Sequence, residues 1–444
     1  MTRNVNLALQ GGGAHGAFAW GVLDRLLEGD EIEIAAISGT SAGALNGAAL
    51  RAGLATAPGR PGREAARANL RHVWSEVARY SDNSMVRWMT SFLPVPTRMQ
   101  RLAEMMSPMA WLEGVTRVFS PYDYGPFYHN PLGPIIRQMP HPRLDTDAGP
   151  RLFVTATNVR TGRVRIFSGA EVSRVNDHRL LRWMTCLDHV PSPFQRLAEF
   201  FSPVAWMESW SRIFSPYDSG PFYSNPLGRI MAGMPHPLGP CDSRRPALFV
   251  TATNVRTGRV RVFSGAEVTP EAVMASACLP TLFRAVEIDD PKTGRAEAYW
   301  DGGYSGNPAL FPLFGNELPR DIVIVTINPT ERDILPRTPV EIQDRINEIS
   351  FNSSLQRELR AIQFVKRLSA EGRLTGRGMK EPLLHLLSDD ALMTSLGARS
   401  KLLPGPGLVG RMKAAGRIAA ERFLVTSAAN IGERDSVDLP RLYG

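Results

Sequence analysis

A serine stands between two glycines in the segment Gly39-Thr40-Ser41-Ala42-Gly43, where an apolar run meets an alanine-rich stretch. The apolar run, residues 32–37, predicts a strand, and the stretch that follows Ser41 predicts a helix. A tight turn from strand to helix favours glycines beside the serine, because Cβ atoms would collide there. The spacing therefore predicts a serine nucleophile at the end of a sheet, beside a helix N-terminus that favours developing negative charge.

A glycine-rich loop follows the first predicted strand, residues 5–10, and opens a second predicted helix. Its sequence is Gly11-Gly12-Gly13-Ala14-His15-Gly16. Such a loop directs several backbone N–H groups toward one point, which suits an oxyanion or a phosphate. The same letters fit a dinucleotide-binding pattern, but that pattern requires an acidic residue at the end of the second strand, where this chain has Ile37-Ser38. Nucleotide binding is therefore the less favoured interpretation.

An aspartate ends a later predicted strand, in the segment Asp301-Gly302-Gly303. Alone, an aspartate followed by glycines usually forms a turn. Beside a serine turn and an N–H cradle, Asp301 becomes the candidate general base. The competing esterase arrangement places a histidine after the acid, and His385 is the histidine that follows Asp301. It lies in the apolar run 383–387, which favours a helix-face or core position over a Ser-Asp-His triad.

Together and in this order, the three motifs resemble those of the patatin-like phospholipase family. Residues 11–16 are similar to the family's oxyanion-hole loop, residues 39–43 to its nucleophile elbow, and residues 301–303 to its Asp-Gly-Gly/Ala motif. The resemblance covers residues 5 to about 330 and, more loosely, the C-terminal part. The family often has Arg where this chain has His15. A fixed cation near the site is therefore not implied for this chain.

The resemblance implies a three-layer α/β/α sandwich around a mostly parallel central sheet, to which this chain adds a duplicated insert. It also implies a serine lipid acyl hydrolase with a Ser-Asp dyad. We expect no metal or other cofactor, because the acidic residues near the motifs lack a paired ligand spacing. Ser41 would attack the ester carbonyl, Asp301 would take its proton, and water would cleave the acyl-enzyme. The oxyanion would be stabilised by backbone N–H groups of the glycine-rich loop, at Gly11, Gly12, Gly13 and Ala14.

A free aspartate is a weak base for a serine hydroxyl, because its ordinary pKa lies near ~4. The site must therefore raise the pKa of Asp301 by burial. Tyr299, Trp300 and Tyr304 are the neighbouring aromatic residues that would supply apolar surroundings.

The implied substrate is a phospholipid or another acyl ester. Phospholipase A, lysophospholipase and esterase activities all remain open, as does acyl transfer in place of hydrolysis. The alternative to an enzyme is a catalytically silent lipid-binding or scaffold protein, disabled by a duplication in the chain.

Residues 79–173 and 174–268 form that duplication. The run 152–172 returns as 248–268 with one change, Ile166 against Val262. Two copies do not make a solenoid, which requires at least three stacked units. We therefore expect one domain, residues 1–444, with a tandem duplicated segment.

The two copies compete for one position in the parental sheet, because each contains the same strand pair. Copy two leads directly to Asp301, so we expect copy two to occupy that position. The C-terminal part, residues 335–444, is expected to be helical.

Composition bounds the remaining properties. The formal net charge is +8, which suits anionic phospholipid surfaces or nucleic acid. No nucleic-acid-binding motif accompanies this charge, so peripheral contact with a membrane surface is favoured over nucleic acid, with a solvated basic face as the simple alternative. No apolar run reaches the ~18 residues of a membrane span.

The first predicted strand begins by residue 5, which leaves no room for a signal peptide. The cysteines, Cys186, Cys241 and Cys278, form neither a disulfide framework nor a metal-binding spacing. We therefore expect a cytoplasmic protein, with peripheral membrane association as the variant.

Overall fold

The computed structural model describes most of the chain, and the structural statements below concern the described residues alone. These are residues 2–91, 153–168, 216–217, 223, 225–238, 246–280, 282–337, 339–373, 380–396, 400–401 and 404–443. The chain divides into two compact units. The first comprises residues 1–94, 214–329 and 350–444, and the second comprises residues 95–213 and 330–349.

Ten strands are present in the described ranges. They are β1 (Arg3–Leu9), β2 (Ile32–Thr40), β3 (Phe153–Thr157), β4 (Val164–Ser168), β5 (Ala247–Asn254), β6 (Val260–Ser264), β7 (Val286–Asp290), β8 (Arg295–Asp301), β9 (Asp321–Val325) and β10 (Leu383–Leu387).

The α-helices of the described ranges connect and cover these strands. They are α1 (Ala17–Leu26), α2 (Ala42–Leu54), α3 (Arg60–Ser91), α4 (Pro226–Ala232), α5 (Pro270–Ser276), α6 (Pro339–Ala370), α7 (Asp390–Ser395), α8 (Pro406–Thr426) and α9 (Leu439–Tyr443). None of these helices combines the length and the apolar composition needed to cross a lipid bilayer.

Eight of the described strands form the central sheet of the first unit, in the order β10-β9-β1-β2-β5-β8-β7, with β6 paired to β5. The five strands from β10 to β5 are parallel to their neighbours. The strands β6, β7 and β8 pair in antiparallel fashion. The sheet is therefore mostly parallel.

Alternating side chains of the sheet pack into two hydrophobic cores, one on each face. In β1, Leu7 and Leu9 belong to the core that includes Phe18 of α1. Ala8, between them, belongs to the core that includes Leu355 of α6. Side chains of a strand alternate between faces, so this division places helices on both sides of the sheet. The predicted α/β/α sandwich is confirmed.

The parallel pairing of β1 and β2 brings two predicted motifs to one edge of the sheet. Leu9 pairs with Gly39 at the carboxyl ends of these strands. The glycine-rich loop leaves the end of β1, and the serine turn leaves the end of β2. Two motifs about thirty residues apart in the sequence therefore become neighbours through strand pairing alone.

The C-terminal part, expected to be helical throughout, also contributes a strand to the sheet. The run Leu383–Leu387 forms β10, which pairs in parallel with β9. A five-residue apolar run is too short for periodicity to separate a strand from a buried helix. The helix α8 packs against α1 so closely that a Cβ on Gly416 would lie 2.0 Å from the carbonyl oxygen of Phe18.

Both copies of the duplicated segment form the same hairpin. Thr155 pairs with Ile166 in β3–β4, and Thr251 pairs with Val262 in β5–β6. In each copy an asparagine side chain closes the turn by accepting backbone N–H bonds two and three residues ahead. This local sequence therefore specifies the hairpin in both settings.

The two hairpins differ in their pairing partners. The strand β5 pairs with β2 and β8 inside the central sheet, whereas β3 and β4 form a separate two-stranded sheet. Copy two thus occupies the position in the central sheet, as predicted.

The β3–β4 hairpin has its own contacts in the second unit. Arg345 of α6 donates hydrogen bonds to the carbonyl oxygens of Val159 (2.8 Å) and Arg160 (2.6 Å), at the turn of this hairpin.

Equivalent alanines of the two hairpins provide a matched test of this assignment. Ala252 is fully buried, and Ala156 is exposed. Ala252→Asp should destabilise the protein by about 3 kcal/mol or more, because it buries an unpaired charge. Ala156→Asp should change the free energy of unfolding by less than about 0.5 kcal/mol. Urea unfolding followed by tryptophan fluorescence measures both, and equal destabilisation would mean that copy one also supports the fold.

Candidate active site

Ser41 occupies a strained backbone position between β2 and α2. Its φ is 53° and its ψ is −122°, and it is the sole non-glycine residue with positive φ in the described ranges. The Ser41 N–H donates to Ser276 Oγ at 2.9 Å, and Ser276 Oγ donates to the carbonyl oxygen of Thr251 at 2.6 Å. These two bonds tie the turn to β5. Such strain persists where the surrounding structure enforces it and is typical of functional sites.

Close backbone contacts explain the small residues of the serine turn. A Cβ on Gly43 would lie 2.1 Å from the carbonyl oxygen of Leu9, and one on Gly39 would lie 2.5 Å from the carbonyl oxygen of Gly43. On Gly16, a Cβ would lie 2.5 Å from the Cβ of Ala42. No larger side chain fits at these three positions without moving the backbone. The glycines bring the loop after β1 against the start of α2.

Asp301 is fully buried at the end of β8, and its Oδ1 accepts a 2.7 Å hydrogen bond from the N–H of Gly303. The Ser41 hydroxyl lies within weak hydrogen-bonding reach of the carboxyl, although no described group makes a hydrogen bond of regular geometry to Oδ2. Burial raises the pKa of Asp301 to about 7, against the lowering effect of Gly303 and Ser41. The structure thus brings the predicted nucleophile and base together.

The three aromatic residues near Asp301 have different surroundings. Tyr304 is 45% exposed and packs edge-on against Phe351, and partial burial with the charge of Asp301 raises its pKa to about 12. The Tyr299 hydroxyl instead donates a hydrogen bond to Asp290, and its ring packs edge-on against Phe263. Trp300 is half-buried. Of the three, Tyr304 is the one that the carboxyl charge affects.

Gly302 and Gly303 close the other side of the site. A Cβ on Gly302 would lie 2.0 Å from the carbonyl oxygen of Thr251, and one on Gly303 would lie 2.3 Å from Cε1 of Phe351. The backbone after Asp301 therefore packs directly on β5 and on α6. This packing holds the carboxyl in place.

The glycine-rich loop lies against the serine turn. A Cβ on Gly11 would lie 2.7 Å from the Cβ of Ser41. The Gly11 N–H donates to Asn307 Oδ1 at 2.6 Å. It is therefore not available to an oxyanion, and its predicted role as an oxyanion donor is wrong. The N–H groups of the next three residues have no acceptor among the described residues; they belong to Gly12, Gly13 and Ala14.

His15 is buried in the short 3₁₀ helix Gly13–Gly16, and its Nε2 lies 2.7 Å from Ser400 Oγ. The adjacent Lys401 donates from Nζ to Asn328 Oδ1 at 2.6 Å. A segment of the C-terminal part therefore lies on the glycine-rich loop. The sequence gives no signal for these contacts, because they join positions 385 and 73 residues apart.

The three motifs lie within a region that matches a known protein family. The family model described as Patatin-like phospholipase matches residues 7–313, which is well over half of the chain and includes all three motifs. The chain belongs to the patatin-like phospholipase family. The predicted family is confirmed, and membership of this family of patatin-like phospholipases supports lipid acyl hydrolase activity in general.

Other comparisons add little to this result. No curated protein is significantly similar to the chain. The solved structure of VipD from Legionella pneumophila is 16% identical, with a TM-score of 0.34, over 95% of this chain and 67% of VipD. A likeness at that level supports no conclusion about this patatin-like protein's site.

His385 belongs to a different hydrogen-bond group of the patatin-like domain. Its Nε2 lies 2.9 Å from Asp321 Oδ1, and its Nδ1 lies 2.8 Å from Ser436 Oγ. Four strands lie between β10 and β8 in the sheet, which makes five strand spacings. At ~4.8 Å for each spacing, His385 lies about 24 Å from Asp301. The alternative Ser-Asp-His triad with His385 is therefore wrong.

A half-open cavity of about 880 Å³ lies beside the loop that follows Asp301. Ser305 and Gly306 line one part of it, and Ile362 and Val365 of α6 line another. Neither Ser41 nor Asp301 lines this cavity. In the described part of the chain, no three His, Cys, Asp or Glu side chains are grouped in a way that could hold a metal ion.

Asp301 should make the stability of the protein depend on pH. The folded protein keeps the Asp301 proton up to about pH 7, whereas the unfolded chain loses it near the ordinary value of 3.8. Stability should therefore fall as pH rises from 4 to 7, by up to about 4 kcal/mol. Asp301→Asn removes this penalty, so it should be more stable than wild type at pH 8 by about 2–4 kcal/mol.

Urea unfolding at pH 4.5 and pH 8 measures this difference, which should shrink toward pH 4. The exposed Asp289→Asn is the matched control and should show no such trend. Equal stability of Asp301→Asn and wild type at pH 8 would contradict the raised pKa of Asp301.

Proposed function

We propose that this patatin-like protein is a serine lipid acyl hydrolase of the phospholipase A, lysophospholipase or esterase type. Ser41 is the nucleophile and Asp301 is the general base. The observation that carries this proposal is the contact between a serine at φ 53° and a fully buried carboxyl with a pKa of about 7. Strain presents the hydroxyl, and burial makes the carboxylate a better base.

Acylation begins when Ser41 Oγ attacks the ester carbonyl carbon while its proton passes to Asp301. The tetrahedral intermediate then collapses with cleavage of the bond to the alcohol oxygen, and Asp301 returns the proton to the departing alcohol. The acyl group remains on Ser41. A pKa near 7 suits both transfers, because Asp301 must accept a proton in one step and donate it in the next.

The oxyanion of this intermediate is stabilised by N–H groups of Gly12, Gly13 and Ala14. Two observations support this assignment. These N–H groups have no acceptor in the described part of the chain, and their loop contacts the serine turn. Gly11 has a different role, because its N–H is bonded to Asn307. It permits the close approach of the loop to Ser41.

Deacylation repeats the same proton transfers with a second nucleophile. Asp301 takes a proton from water, the resulting hydroxide attacks the acyl carbon, and Ser41 leaves with the proton. An alcohol in place of water gives acyl transfer. The chemistry needs no metal and no other cofactor.

The substrate class follows from the family and is a phospholipid or another acyl ester. The cavity beside the loop after Asp301 has the size and apolar walls of pockets that take small lipophilic ligands. The net charge of +8 supports peripheral contact with an anionic membrane surface. A cytoplasmic location is proposed from the cysteines, which form no disulfide framework, and nucleic acid is not proposed because the sequence has no nucleic-acid-binding motif.

Labelling with a fluorophosphonate tests the nucleophile and base together. Wild type should gain one adduct by intact mass, and Ser41→Ala should gain none. The labelling rate should rise with pH to a plateau, with a midpoint near pH 7, because Asp301 must lose its proton to act. Asp301→Asn should label about 100-fold more slowly or worse, without this midpoint, whereas Asp289→Asn should label like wild type.

A folded wild-type protein that forms no adduct would contradict the proposal. The protein would then be assigned as a catalytically silent lipid-binding member of the family. Labelling that persists in Ser41→Ala would place the nucleophile elsewhere.

A further inference from the structure

We propose that Asn328, held by Lys401, is a positioning residue for the oxyanion hole. It orients and polarises the peptide group between Gly11 and Gly12, and thereby strengthens the Gly12 N–H as a donor to the oxyanion. This inference rests on the proposed function and adds to it a network that joins the end of β9 and the C-terminal part to the catalytic loop.

Two asparagine side chains hold the peptide group between Gly11 and Gly12. The carbonyl oxygen of Gly11 accepts a hydrogen bond from Asn328 Nδ2 at 2.9 Å and a longer one from Asn307 Nδ2 at 3.3 Å. The C=O and the following N–H of a trans peptide lie in one plane and point in opposite directions. The two asparagine amides therefore fix the direction of the Gly12 N–H, on the side of the loop away from them.

Asn328 is itself held in a buried network of amide side chains. Its backbone N–H donates to Gln10 Oε1 at 3.0 Å, and Ile327 N–H donates to the same oxygen at 2.8 Å. Gln10 Nε2 in turn donates to Asn352 Oδ1 at 2.9 Å. The four amide side chains of this network are all buried, and they belong to Gln10, Asn307, Asn328 and Asn352. Fully hydrogen-bonded buried networks of this kind hold their members in one arrangement.

The positive charge of Lys401 lies on the oxygen of the Asn328 amide. Lys401 Nζ donates to Asn328 Oδ1 at 2.6 Å, and the Nδ2 of the same amide donates to Gly11. A cation on the amide oxygen makes the amide N–H a stronger donor, and a stronger bond to the Gly11 carbonyl makes the Gly12 N–H more positive. Hydrogen bonds in such a chain strengthen one another at low dielectric. Lys401 thus acts on the oxyanion site through Asn328.

The consequence is an effect on the transition state rather than on substrate binding. The negative charge on the carbonyl oxygen develops during attack by Ser41, so a stronger Gly12 donor lowers the barrier and leaves the ground state nearly unchanged. Loss of the network should lower kcat and leave KM in place.

Asn328→Asp is the decisive variant because it is nearly isosteric and keeps an oxygen acceptor for Lys401, but its carboxylate cannot donate to Gly11. With a short-chain p-nitrophenyl ester as the probe, kcat should fall at least 10-fold and KM should change less than 2-fold. Lys401→Met should lower kcat about 3- to 10-fold, and Lys401→Arg should restore most of it. Lys292→Met, which removes an exposed lysine, is the matched control and should keep wild-type kcat.

The pH profile separates positioning from general damage. Asp301 is untouched in these variants, so the midpoint near pH 7 should remain. A kcat for Asn328→Asp within 2-fold of wild type would overturn the proposal, as would a fall in kcat that comes with an equal change in KM or with a displaced midpoint.

A second readout needs no activity. The chain has three Gly-Gly peptide bonds, 11–12, 12–13 and 302–303, so protein labelled with carbonyl-¹³C and ¹⁵N glycine should give three correlations in an HNCO spectrum. Asn328→Asp and Lys401→Met should move the Gly11–Gly12 correlation and leave that of Gly302–Gly303 in place. An unmoved Gly11–Gly12 correlation would overturn the polarisation. If wild type shows this network but no turnover or fluorophosphonate adduct, the proposed function fails and the catalytic role of Asn328 fails with it.

Discussion

The close approach of two backbone turns at the carboxyl ends of β1 and β2 is the constraint on which the rest of the site depends. A Cβ on Gly43 would lie 2.1 Å from the Leu9 carbonyl oxygen, and one on Gly11 would lie 2.7 Å from the Cβ of Ser41. Parallel pairing of adjacent strands creates this proximity, and glycine permits it. The glycine-rich loop and the serine turn therefore lie directly against each other at this edge of the sheet.

A buried carboxyl at the same edge opposes the stability of the fold. Asp301 has one regular hydrogen bond to its side chain, from Gly303, and burial favours its neutral form. A fully paired aspartate would be more stable but a weaker base, as Asp290 illustrates: its bond to Arg261 holds the pKa of Asp290 far below the ordinary range. Two buried aspartates of one domain thus differ in chemistry because one has a cation beside it and the other has none among the described residues.

Local sequence predicted the positions of the three motifs but not the groups that support them. Glycine spacing and an apolar strand identify a turn, so Ser41, Asp301 and the glycine-rich loop were accessible to sequence reasoning. Asn307, Asn328 and Lys401 are single polar residues in otherwise ordinary segments. The two asparagines bond to Gly11 across 296 and 317 residues of sequence, and Lys401 bonds to Asn328 across 73. No periodicity marks such a contact.

The same distinction accounts for the two hairpins and for β10. The repeated sequence predicted one hairpin twice, and it forms twice with equivalent register, because turn residues and strand propensity act over a few residues. Burial does not repeat: Ala252 is enclosed by β2 and β8, while Ala156 is exposed. The run 383–387 became a strand because β9 offered a parallel edge, which its own five residues do not encode. In this chain, short-range sequence determines the shape of an element, and its neighbours in the sheet determine whether that element becomes core, edge or active site.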